Sequence, residues 1–556
     1  MYLSIVRQCD GNENNYTGRA TLQTNLGTEA CVQPRQRVGT DCYQGMEKTK
    51  RILDSVHGYI NIPEEYCDNI VDTPYFQRLR RVEQTSCRAL FPSARHDRFI
   101  HSLGVFHLGS KMVDAIWKNG IDVSQPVYDR LAENYLMACL LHDVCHSPFS
   151  HTFEDFYNNT QNNLEVELAN HVNTTSFTDD WASNKWNAAS HEMMSAIMAI
   201  TAFPEYIKAP RFDREFIARM IVGCKYSAAS KSLENAFIDL LHGNVLDADG
   251  LDYACRDAAM AGYSTNNIDV ERLIAEIYIK RDPKQGNKYQ VCFSNKAINE
   301  IESVLGVKHF QQYNVFAHHI VAYEQELLVA AMKSAASWHL YGHRSNDEDE
   351  RDKALKALCN YQMFYQTEVF GQRNIPIRYP SDDDFISLMK YDADEYYIKQ
   401  WLSRQYCLQP LWKSKSEFKH LLGDIVGDTT NIEDELWVFS TECKKFIARE
   451  FNVKESDVWI IKTKIKDRFG SSRELHIIIG DEIKEYGEVY PKGRMYFGDI
   501  GDQFKFVFVP CELNKDEVIK KIAEEQAKHN PPEPVKTLLQ RVKNWLCDKI
   551  CLIKKS

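Results

Sequence analysis

The sequence predicts a mainly α-helical protein with a smaller C-terminal lobe of mixed helices and strands. Between residues 47 and 345, Ala, Leu, Met and Ile recur at helical spacing, as in LAENYLMACLLHD and YEQELLVAAMKSAASWHLYG. Beyond about residue 430 the pattern changes to β-rich runs such as DVWIIKTKIK, RELHIIIG and FKFVFVP, which are separated by Gly and Asp turns. The two patterns predict a large helical body followed by a small α+β lobe.

Composition and charge exclude several functional classes. The 556 residues include 67 Lys and Arg against 78 Asp and Glu, a net charge of −11. The chain therefore lacks an overall basic surface for wrapping nucleic acid, and a polyanionic substrate would need a local cluster of cations or a metal ion. No run approaches the roughly 18 apolar residues of a membrane span. The 16 Cys are scattered without CxxC spacing, so we expect reduced thiols in a cytoplasmic protein without membrane contact.

The chain divides into five segments. Residues 1–45 are polar and show no periodicity, which predicts a disordered extension that is dispensable for folding. Residues 46–345 form the helical body, residues 346–430 extend it, residues 431–512 form the α+β lobe, and residues 513–556 form a helical basic tail. We expect an apolar stripe on that tail to dock on the body or on a sister subunit, with contact to a membrane or nucleic acid as the alternative. Its members are Val535, Leu538, Leu539, Val542, Trp545, Leu546, Ile550 and Ile553.

Histidine is concentrated in one short stretch. His142, His146 and His151 fall within ten residues, together with Asp143 and Glu154. Imidazole and carboxylate together suit a divalent metal ion of borderline hardness. A lone His on an apolar helix is more often a core residue, but the group as a whole favours a metal site. A proline soon afterwards places the His142 and Asp143 pair near the end of an apolar helix, beside a loop.

A second polar pattern lies in LDADGLDYACRD. Asp249, Tyr253 and Asp257 recur at i, i+4 and i+8, so in a helix two carboxylates and a phenol would share one face. Such a face is unusually polar for a core. The alternative is structural: Asp249 caps the helix and Asp257 pairs with a nearby Arg. A cap and a ligand are not mutually exclusive.

These motifs resemble a known family. His101, then His142 with Asp143, then Asp249 reproduce the H…HD…D pattern of the HD-domain metal-dependent phosphohydrolases. The longer strings DTPYFQRLR, RFIHSLGV and LLHDVCHSPFSHTFE resemble more narrowly the deoxynucleoside triphosphate (dNTP) triphosphohydrolases, which include dGTPase-like and sterile-alpha-motif/HD enzymes; no sterile alpha motif precedes them here. The resemblance covers about residues 47–330 and implies a helical HD core. It also implies an enzyme that releases deoxynucleoside and triphosphate.

The resemblance implies a metal centre and its catalytic surroundings. His101, His142, Asp143 and Asp249 would hold one divalent transition metal per subunit, such as Mn, Fe, Zn or Ni, and Mg²⁺ can accompany the nucleotide. The metal would act as a Lewis acid on the α-phosphate and orient a water.

The same resemblance assigns a proton donor and phosphate contacts. His151 would protonate the leaving 5′ oxygen, paired with Glu154, where the family commonly has Asp. His146 and His191 would donate to phosphate oxygens.

Further positions resemble the family's substrate contacts. Arg98 looks like a phosphate contact. Gln84, Tyr253, Asp257 and Tyr323 resemble positions around the sugar and base, where Asp257 would accept a hydrogen bond from the 3′-hydroxyl. A Tyr under the deoxyribose would crowd out a 2′-hydroxyl.

Two departures from the family concern phosphate binding. The vertebrate enzyme has a Lys directly after the last metal ligand, whereas this chain has Gly250, and Ile320 and Val321 replace basic residues. A charge-assisted contact is worth about 1.5 to 3 kcal/mol, so another cation is expected to substitute. Lys225, Arg211 or a partner subunit could supply it.

Asp72 and Arg80 in DTPYFQRLR resemble an allosteric, guanine-recognising site between subunits. A carboxylate can accept from guanine N1 and N2, and a guanidinium can donate to O6. The alternative is an ordinary surface ion pair around a helix. The resemblance thus implies a homo-oligomer, tetramer or hexamer, that a nucleotide activates.

The leading hypothesis is therefore a dNTP triphosphohydrolase, acting in dNTP-pool control or antiphage defence. One alternative is an HD phosphodiesterase or nuclease on another phosphate ester, which Gly250 encourages. The other alternative is a nucleotide-sensing or nucleic-acid-binding scaffold with a vestigial HD site, although all four metal positions are filled.

Overall fold

The computed structural model describes most of the chain beyond residue 47. The described residues are 48–157, 163–184, 188–243, 246–263, 268–345, 347–359, 364, 368–370, 375–426, 436–463, 475–490 and 504–529. The extension at residues 1–45 and the apolar stripe that starts at Val535 lie outside them. Among the described residues, no helix has both the length and the apolar character needed to cross a membrane.

Helices dominate the body of the molecule. Its α-helices are α1 (Glu64–Tyr66), α2 (Pro74–Gln77), α3 (Arg98–Lys118), α4 (Gln125–Leu141), α5 (Glu154–Tyr157), α6 (Leu164–Val172), α7 (Thr175–Asn184), α8 (Ser190–Thr201), α9 (Arg214–Val222), α10 (Ser232–Leu241), α11 (Ala248–Met260), α12 (Val270–Ala275), α13 (Ile298–Gln311), α14 (His319–Tyr341) and α15 (Glu348–Leu358). The later helices are α16 (Asp382–Lys390), α17 (Tyr396–Ser403), α18 (Lys415–Val426), α19 (Thr441–Glu450), α20 (Tyr486–Val489) and α21 (Lys515–His529). The expectation of a mainly α-helical protein is confirmed.

Within the described ranges, the strands form four small sheets. They are β1 (Thr49–Asp54), β2 (Gly58–Pro63), β3 (Ile277–Asp282), β4 (Lys288–Ser294), β5 (Glu368–Phe370), β6 (Ile375–Ile377), β7 (Leu408–Pro410), β8 (Trp459–Thr463), β9 (His476–Ile479), β10 (Glu482–Glu485) and β11 (Phe504–Pro510). Hairpins β1–β2 and β5–β6 stand alone, and the larger sheets have the orders β10-β9-β4-β3 and β7-β11-β8. Every pairing is antiparallel except β4 with β9.

Strands β1 to β4 lie inside the segment that the sequence analysis interpreted as helix after helix, so that interpretation was wrong there. In β3 the buried Ile277 and Ile279 alternate with more exposed residues, which is the period of a strand covered on one face. The predicted strand in RELHIIIG exists as β9, but it joins the sheet of the helical body rather than the sheet of the C-terminal lobe.

The C-terminal lobe packs around its own apolar core. Strand β11 is buried along nearly its whole length between β7 and β8, and α18, α19 and α21 contribute apolar side chains to the same cluster. Helix α14, with 23 residues, connects this lobe to the body, because Tyr323 and Leu327 near its start belong to the lobe's core. The fold thus contains a small α+β lobe, as expected.

Candidate active site

Three helix ends bring the predicted metal ligands together. A capping aspartate starts α3 and places His101 in the first turn. Helix α4 ends at the residue before His142 and Asp143, as the sequence indicates. Asp247, rather than Asp249, caps α11, because its carboxylate accepts from the backbone N–H of Gly250 at 2.5 Å. Asp249 is therefore free of the capping role.

The ligand atoms converge on one point. His101 Nε2 lies 3.1 Å from Asp249 Oδ1 and 3.3 Å from His142 Nε2. His142 Nε2 lies 3.8 Å from Asp249 Oδ1. Asp143 Oδ2 lies 3.6 Å and 3.4 Å from the two imidazole nitrogens. The structure thus brings His101, His142 and Asp249 together as a group that could hold one ion, with Asp143 beside both imidazoles.

The other nitrogen of each imidazole is engaged. His101 Nδ1 donates to Asp252 Oδ2 at 2.7 Å, and His142 Nδ1 donates to the carbonyl of Cys139 at 2.9 Å. Both Nε2 atoms are thereby directed to the centre, which is the usual arrangement of metal-binding histidines. Two imidazoles with carboxylate oxygens form a donor set that fits a divalent transition metal.

The charges around this centre favour a cation. Burial lowers the pKa of His101, but hydrogen bonds to Asp249 and Asp252 outweigh it and raise that pKa to about 10. Burial likewise opposes ionisation of Asp143, yet the Arg98 guanidinium holds the pKa of that carboxyl well below its usual range. The centre therefore stabilises positive charge at the position where an ion would lie.

A buried ionic network supports His101, and the sequence analysis did not identify it. Asp252 accepts from His57 Nε2 at 2.6 Å and pairs with Arg256 at 2.8 Å, and Arg256 reaches Asp54 at 2.8 Å. Gly104 of α3 faces this network, and a Cβ there would lie 2.0 Å from Asp252 Oδ1. The i, i+4 spacing of Asp252 and Arg256 was the available signal.

The predicted catalytic group forms a second cluster. Glu154 Oε2 accepts from His151 Nδ1 at 3.1 Å and from His191 Nδ1 at 2.5 Å. The His146 ring stacks on His191 with 4.4 Å between centroids. Burial opposes both charges, but the shared hydrogen bonds lower the pKa of Glu154 and raise the pKa of His191. The His151 side chain is 60% exposed and faces solvent.

Arg98 links the two clusters. Its guanidinium pairs with Asp143 Oδ2 at 2.6 Å, and its NH2 lies 3.4 Å from His151 Nε2. It also donates to the Ser150 hydroxyl at 3.0 Å and to the carbonyl of Gln84 at 3.3 Å. Arg98 is thus a buried positioning residue in addition to its predicted phosphate role.

The loop that carries the second cluster has strained backbone. Phe149 and Ser150 adopt positive φ, at 55° and 51°, where residues with a Cβ are disfavoured. Asp382 of α16 accepts from the backbone N–H of Phe149 at 2.7 Å and of Glu83 at 3.0 Å. Burial raises the pKa of Asp382 to about 7. A helix from the predicted extension of the body therefore fixes the loop.

The predicted sugar and base contacts have different surroundings. Tyr253 is half-buried on α11, one turn after Asp249. Asp257 accepts from His96 Nε2 at 2.7 Å rather than from an Arg. Gln84 is buried, and its side-chain oxygen has no hydrogen-bond partner among the described residues.

The last of the predicted contacts, Tyr323, is almost fully buried. Its side chain is 2% exposed, stacks on Phe508 at 4.9 Å and donates to Gln400 at 3.2 Å, within the core of the C-terminal lobe.

A lysine that the sequence analysis did not identify lies beside Gly250. A Cβ built on Gly250 would lie 2.5 Å from Lys308 Nζ, so the missing side chain leaves room for this ammonium. Lys308 comes from α13, is 3% exposed, and places Nζ 4.9 Å from the centre of the Tyr253 ring.

The two cations that the sequence suggested in place of the missing Lys have acidic partners of their own. Lys225 pairs with Asp239 at 2.7 Å, and Arg211 pairs with Glu65 at 2.6 Å and with Glu133 at 2.7 Å.

The predicted allosteric residues are not paired with each other in the described contacts. Asp72 is exposed and pairs with Lys50 at 2.9 Å. The Arg80 guanidinium lies 3.5 Å over the Phe99 ring, and its Nε donates to Gln77 at 2.9 Å. Both side chains remain near the surface at the start of the body.

Comparison with known proteins places this site in a family. A model of the HD domain matches residues 98–196, which include three of the four converging ligands. The deoxynucleoside triphosphate triphosphohydrolase SAMHD1 homolog of Dictyostelium discoideum is 30% identical over 305 residues, 53% of this chain and 51% of that protein. The uncharacterized protein YwfO of Bacillus subtilis is 26% identical over 302 residues, 54% of this chain and 58% of that protein. The chain therefore spans about half of the length of these relatives.

Two further matches extend over more of the chain. The uncharacterized protein MJ1154 of Methanocaldococcus jannaschii is 28% identical over 476 residues, 80% of this chain and 89% of that protein. The solved structure of a hypothetical protein from Aquifex aeolicus shares the fold, with a TM-score of 0.51 at 17% identity over 86% of this chain and 100% of that one. Residues 98–196 of the chain therefore match an HD domain. Its motifs predict a resemblance to the dNTP triphosphohydrolases, and several proteins of that name are similar to about half of the chain.

Proposed function

We propose that this protein is a metal-dependent dNTP triphosphohydrolase that cleaves dNTP to deoxynucleoside and triphosphate. The observation that carries the proposal is the convergence of His101, His142 and Asp249 within 3.8 Å, close to a separate His–Glu cluster. The names of several relatives support the same substrate class. When bound at the first cluster, a divalent ion would polarise the α-phosphate and lower the pKa of a water.

The second cluster would supply the proton for the leaving 5′ oxygen. Glu154 holds the Nδ1–H groups of both His151 and His191. The opposite nitrogen of His151, Nε2, lies 3.4 Å from Arg98 NH2. His151 is the exposed member and is the proposed acid. His146 and His191 would donate to phosphate oxygens. Arg98 positions the loop by donating to the Ser150 hydroxyl, and it positions Asp143 by donating to its carboxylate.

The vertebrate enzyme has a phosphate-binding lysine where this chain has Gly250. Lys308 is the proposed replacement for that lysine. Its ammonium lies where the side chain of residue 250 would lie, one residue after Asp249. With this cation present, Gly250 is no longer an argument for a phosphodiester substrate. Gln84, Tyr253 and Asp257 would surround the sugar and base, as proposed from the motifs.

We also propose that a guanine-containing nucleotide, bound through Asp72 and Arg80, activates a homo-oligomer. Both side chains lie near the surface, and neither is committed to the other in the described contacts. In a cell, such an enzyme would control dNTP pools or limit a replicating phage.

The decisive experiment is product analysis by chromatography and phosphorus NMR. The full chain is incubated with each dNTP, singly and in pairs, with Mn²⁺ or Mg²⁺. The expected result is release of inorganic triphosphate that falls at least a thousandfold in His142→Ala, and remains in His171→Ala, an exposed His on α6. If every dNTP stays intact in every combination while metal is bound, the proposal fails, and dinucleotides become the substrates to test.

A further inference from the structure

The cluster of His146, His151, Glu154 and His191 has the composition of a metal site in its own right. A ligand atom from each of the four residues lies within 4.8 Å of all the others. The three imidazole rings are mutual neighbours, with centroids 4.4 to 5.2 Å apart. Three imidazoles and one carboxylate form a ligand set that zinc, iron, cobalt and manganese accept.

His146 provides an independent observation. Its side chain is fully buried, and its Nδ1 is directed at the carbonyl of Ser147, 3.4 Å away. Its Nε2 is buried and has no hydrogen-bond partner among the described residues. Buried polar atoms normally have a partner, and an imidazole nitrogen beside two other imidazoles and a carboxylate is suited to ligate a metal ion.

The neighbouring charges indicate how tightly an ion would bind. Arg98 NH2 lies 3.4 Å from His151 Nε2, and a guanidinium at that distance repels a second cation. The Asp143 carboxylate lies 2.6 Å from the Arg98 guanidinium and partly neutralises its charge. Only one carboxylate, Glu154, belongs to this cluster, whereas Asp143 and Asp249 flank the first one. The second cluster should therefore bind an ion more weakly than the first.

We propose that His146, His151, Glu154 and His191 form a second, weaker binding site for a divalent transition metal ion. An Nδ1 atom that ligates the ion carries no proton, so the proton now shared with Glu154 moves to Nε2 of the same ring or to solvent. A ring that ligates the ion through Nδ1 holds at most one proton and cannot form the imidazolium that would act as the acid, so the ion and the acidic form of the cluster exclude each other. If the proposed function holds, the second ion therefore inhibits dNTP cleavage.

Metal counting tests the site without relying on activity. The metal-free full chain is dialysed against Zn²⁺ over a range of free concentrations, and bound zinc is measured by mass spectrometry. The wild type should bind two equivalents, His142→Ala should lose the tighter one, and His146→Ala should lose the weaker one. His171→Ala is the matched control, because His171 also pairs with a Glu but on an exposed surface, and it should keep both.

Two results would overturn the site. One is a single equivalent in the wild type that disappears in His142→Ala, and the other is two equivalents retained in His146→Ala. Circular dichroism verifies folding, and Glu154→Gln serves if His146→Ala does not fold. Co²⁺ loading adds a second readout, since the absorbance of the weaker site should vanish only in variants of the second cluster.

Turnover separates this inference from the proposed function. Triphosphate release should fall at least tenfold between one and two equivalents of zinc. Unchanged turnover at two bound equivalents would overturn the inhibitory role. Absence of any dNTP cleavage at one equivalent would refute the proposed function, while the zinc count still decides the site.

Discussion

Asp252 determines which nitrogen of His101 faces the proposed metal centre. Its carboxylate accepts from His101 Nδ1 at 2.7 Å while Arg256 holds it from the other side. We expect Asp252→Asn to weaken metal binding about 10- to 100-fold, the usual effect of losing such a support. A chelator competition measures the affinity, with Asp179→Asn on an exposed face of α7 as the control. Equal affinities in the two variants would contradict this role.

Lys308 offers a second test at the scale of one residue. If its ammonium contacts a phosphate, Lys308→Ala should raise KM for dNTP by about 10- to 150-fold, because a charge-assisted hydrogen bond is worth about 1.5 to 3 kcal/mol. Lys225→Ala removes a lysine that pairs with Asp239 and should leave KM unchanged. Steady-state kinetics on both variants decides the matter, and an unaltered KM for Lys308→Ala would exclude the contact.

Some residues of the site can be predicted from local sequence motifs, whereas others reach it only through tertiary packing. His142, Asp143 and Asp249 occur in short motifs, and the helix-end prediction for His142 depends only on nearby residues. Lys308 and His96 come near their partners through tertiary packing over 50 residues or more, which local spacing cannot predict. Tyr323 was predicted from resemblance alone, and its side chain packs in the core of the C-terminal lobe.

At the scale of elements, α14 couples the body to the lobe through a buried imidazole. His319 in its first turn is 7% exposed and lies 6.1 Å from the Phe506 ring. Burial lowers the pKa of His319 to about 4, below the roughly 6.5 of an unfolded His. Its stabilising contribution is present above pH 6.5 and is lost as the pH falls towards 4, because the unfolded chain then binds the extra proton.

Urea unfolding at pH 7, 5.5 and 4.5 measures this effect. Between pH 7 and 4.5 the wild type should lose on the order of 3 kcal/mol more unfolding free energy than His319→Gln. His171→Gln, on an exposed helix face, should follow the wild type. Parallel pH profiles for wild type and His319→Gln would show that this imidazole does not titrate in the folded state.

The elements that the sequence analysis did not predict are short strands. The hairpin β3–β4 turns at Gly286 and Asn287, which both have positive φ, and its buried residues alternate. Six-residue alternations are easily outweighed by the long helical patterns on either side. The pairing of β4 with β9 joins residues more than 180 positions apart, and no local pattern contains that information.

At the scale of the whole molecule, activation by a nucleotide is the property to test. Asp72→Ala and Arg80→Ala should abolish the dependence of activity on a second nucleotide and the accompanying increase in sedimentation coefficient. Asp68→Ala is the matched control, because Asp68 shares Lys50 with Asp72 and is also exposed to solvent. If all three variants are activated alike, the regulatory assignment is wrong.

The overall division into a helical body and an α+β lobe could be predicted because it depends on hydrophobic periodicity summed over long segments. The route of the chain between them could not. After β8 in the lobe, the chain returns to the body for β9 and β10 and then enters the lobe again as β11.

This return has a consequence during synthesis on the ribosome. Strand β4 ends at residue 294, but its partner β9 and the outer strand β10 end only at residues 479 and 485. At roughly 5 to 20 residues per second, about 10 to 40 seconds separate the two ends of this sheet. Throughout that interval the nascent body carries an open strand edge, a surface that invites pairing with neighbouring chains. A chaperone that shields this edge would raise the yield of correctly folded protein, and slow translation between residues 294 and 485 would lower it.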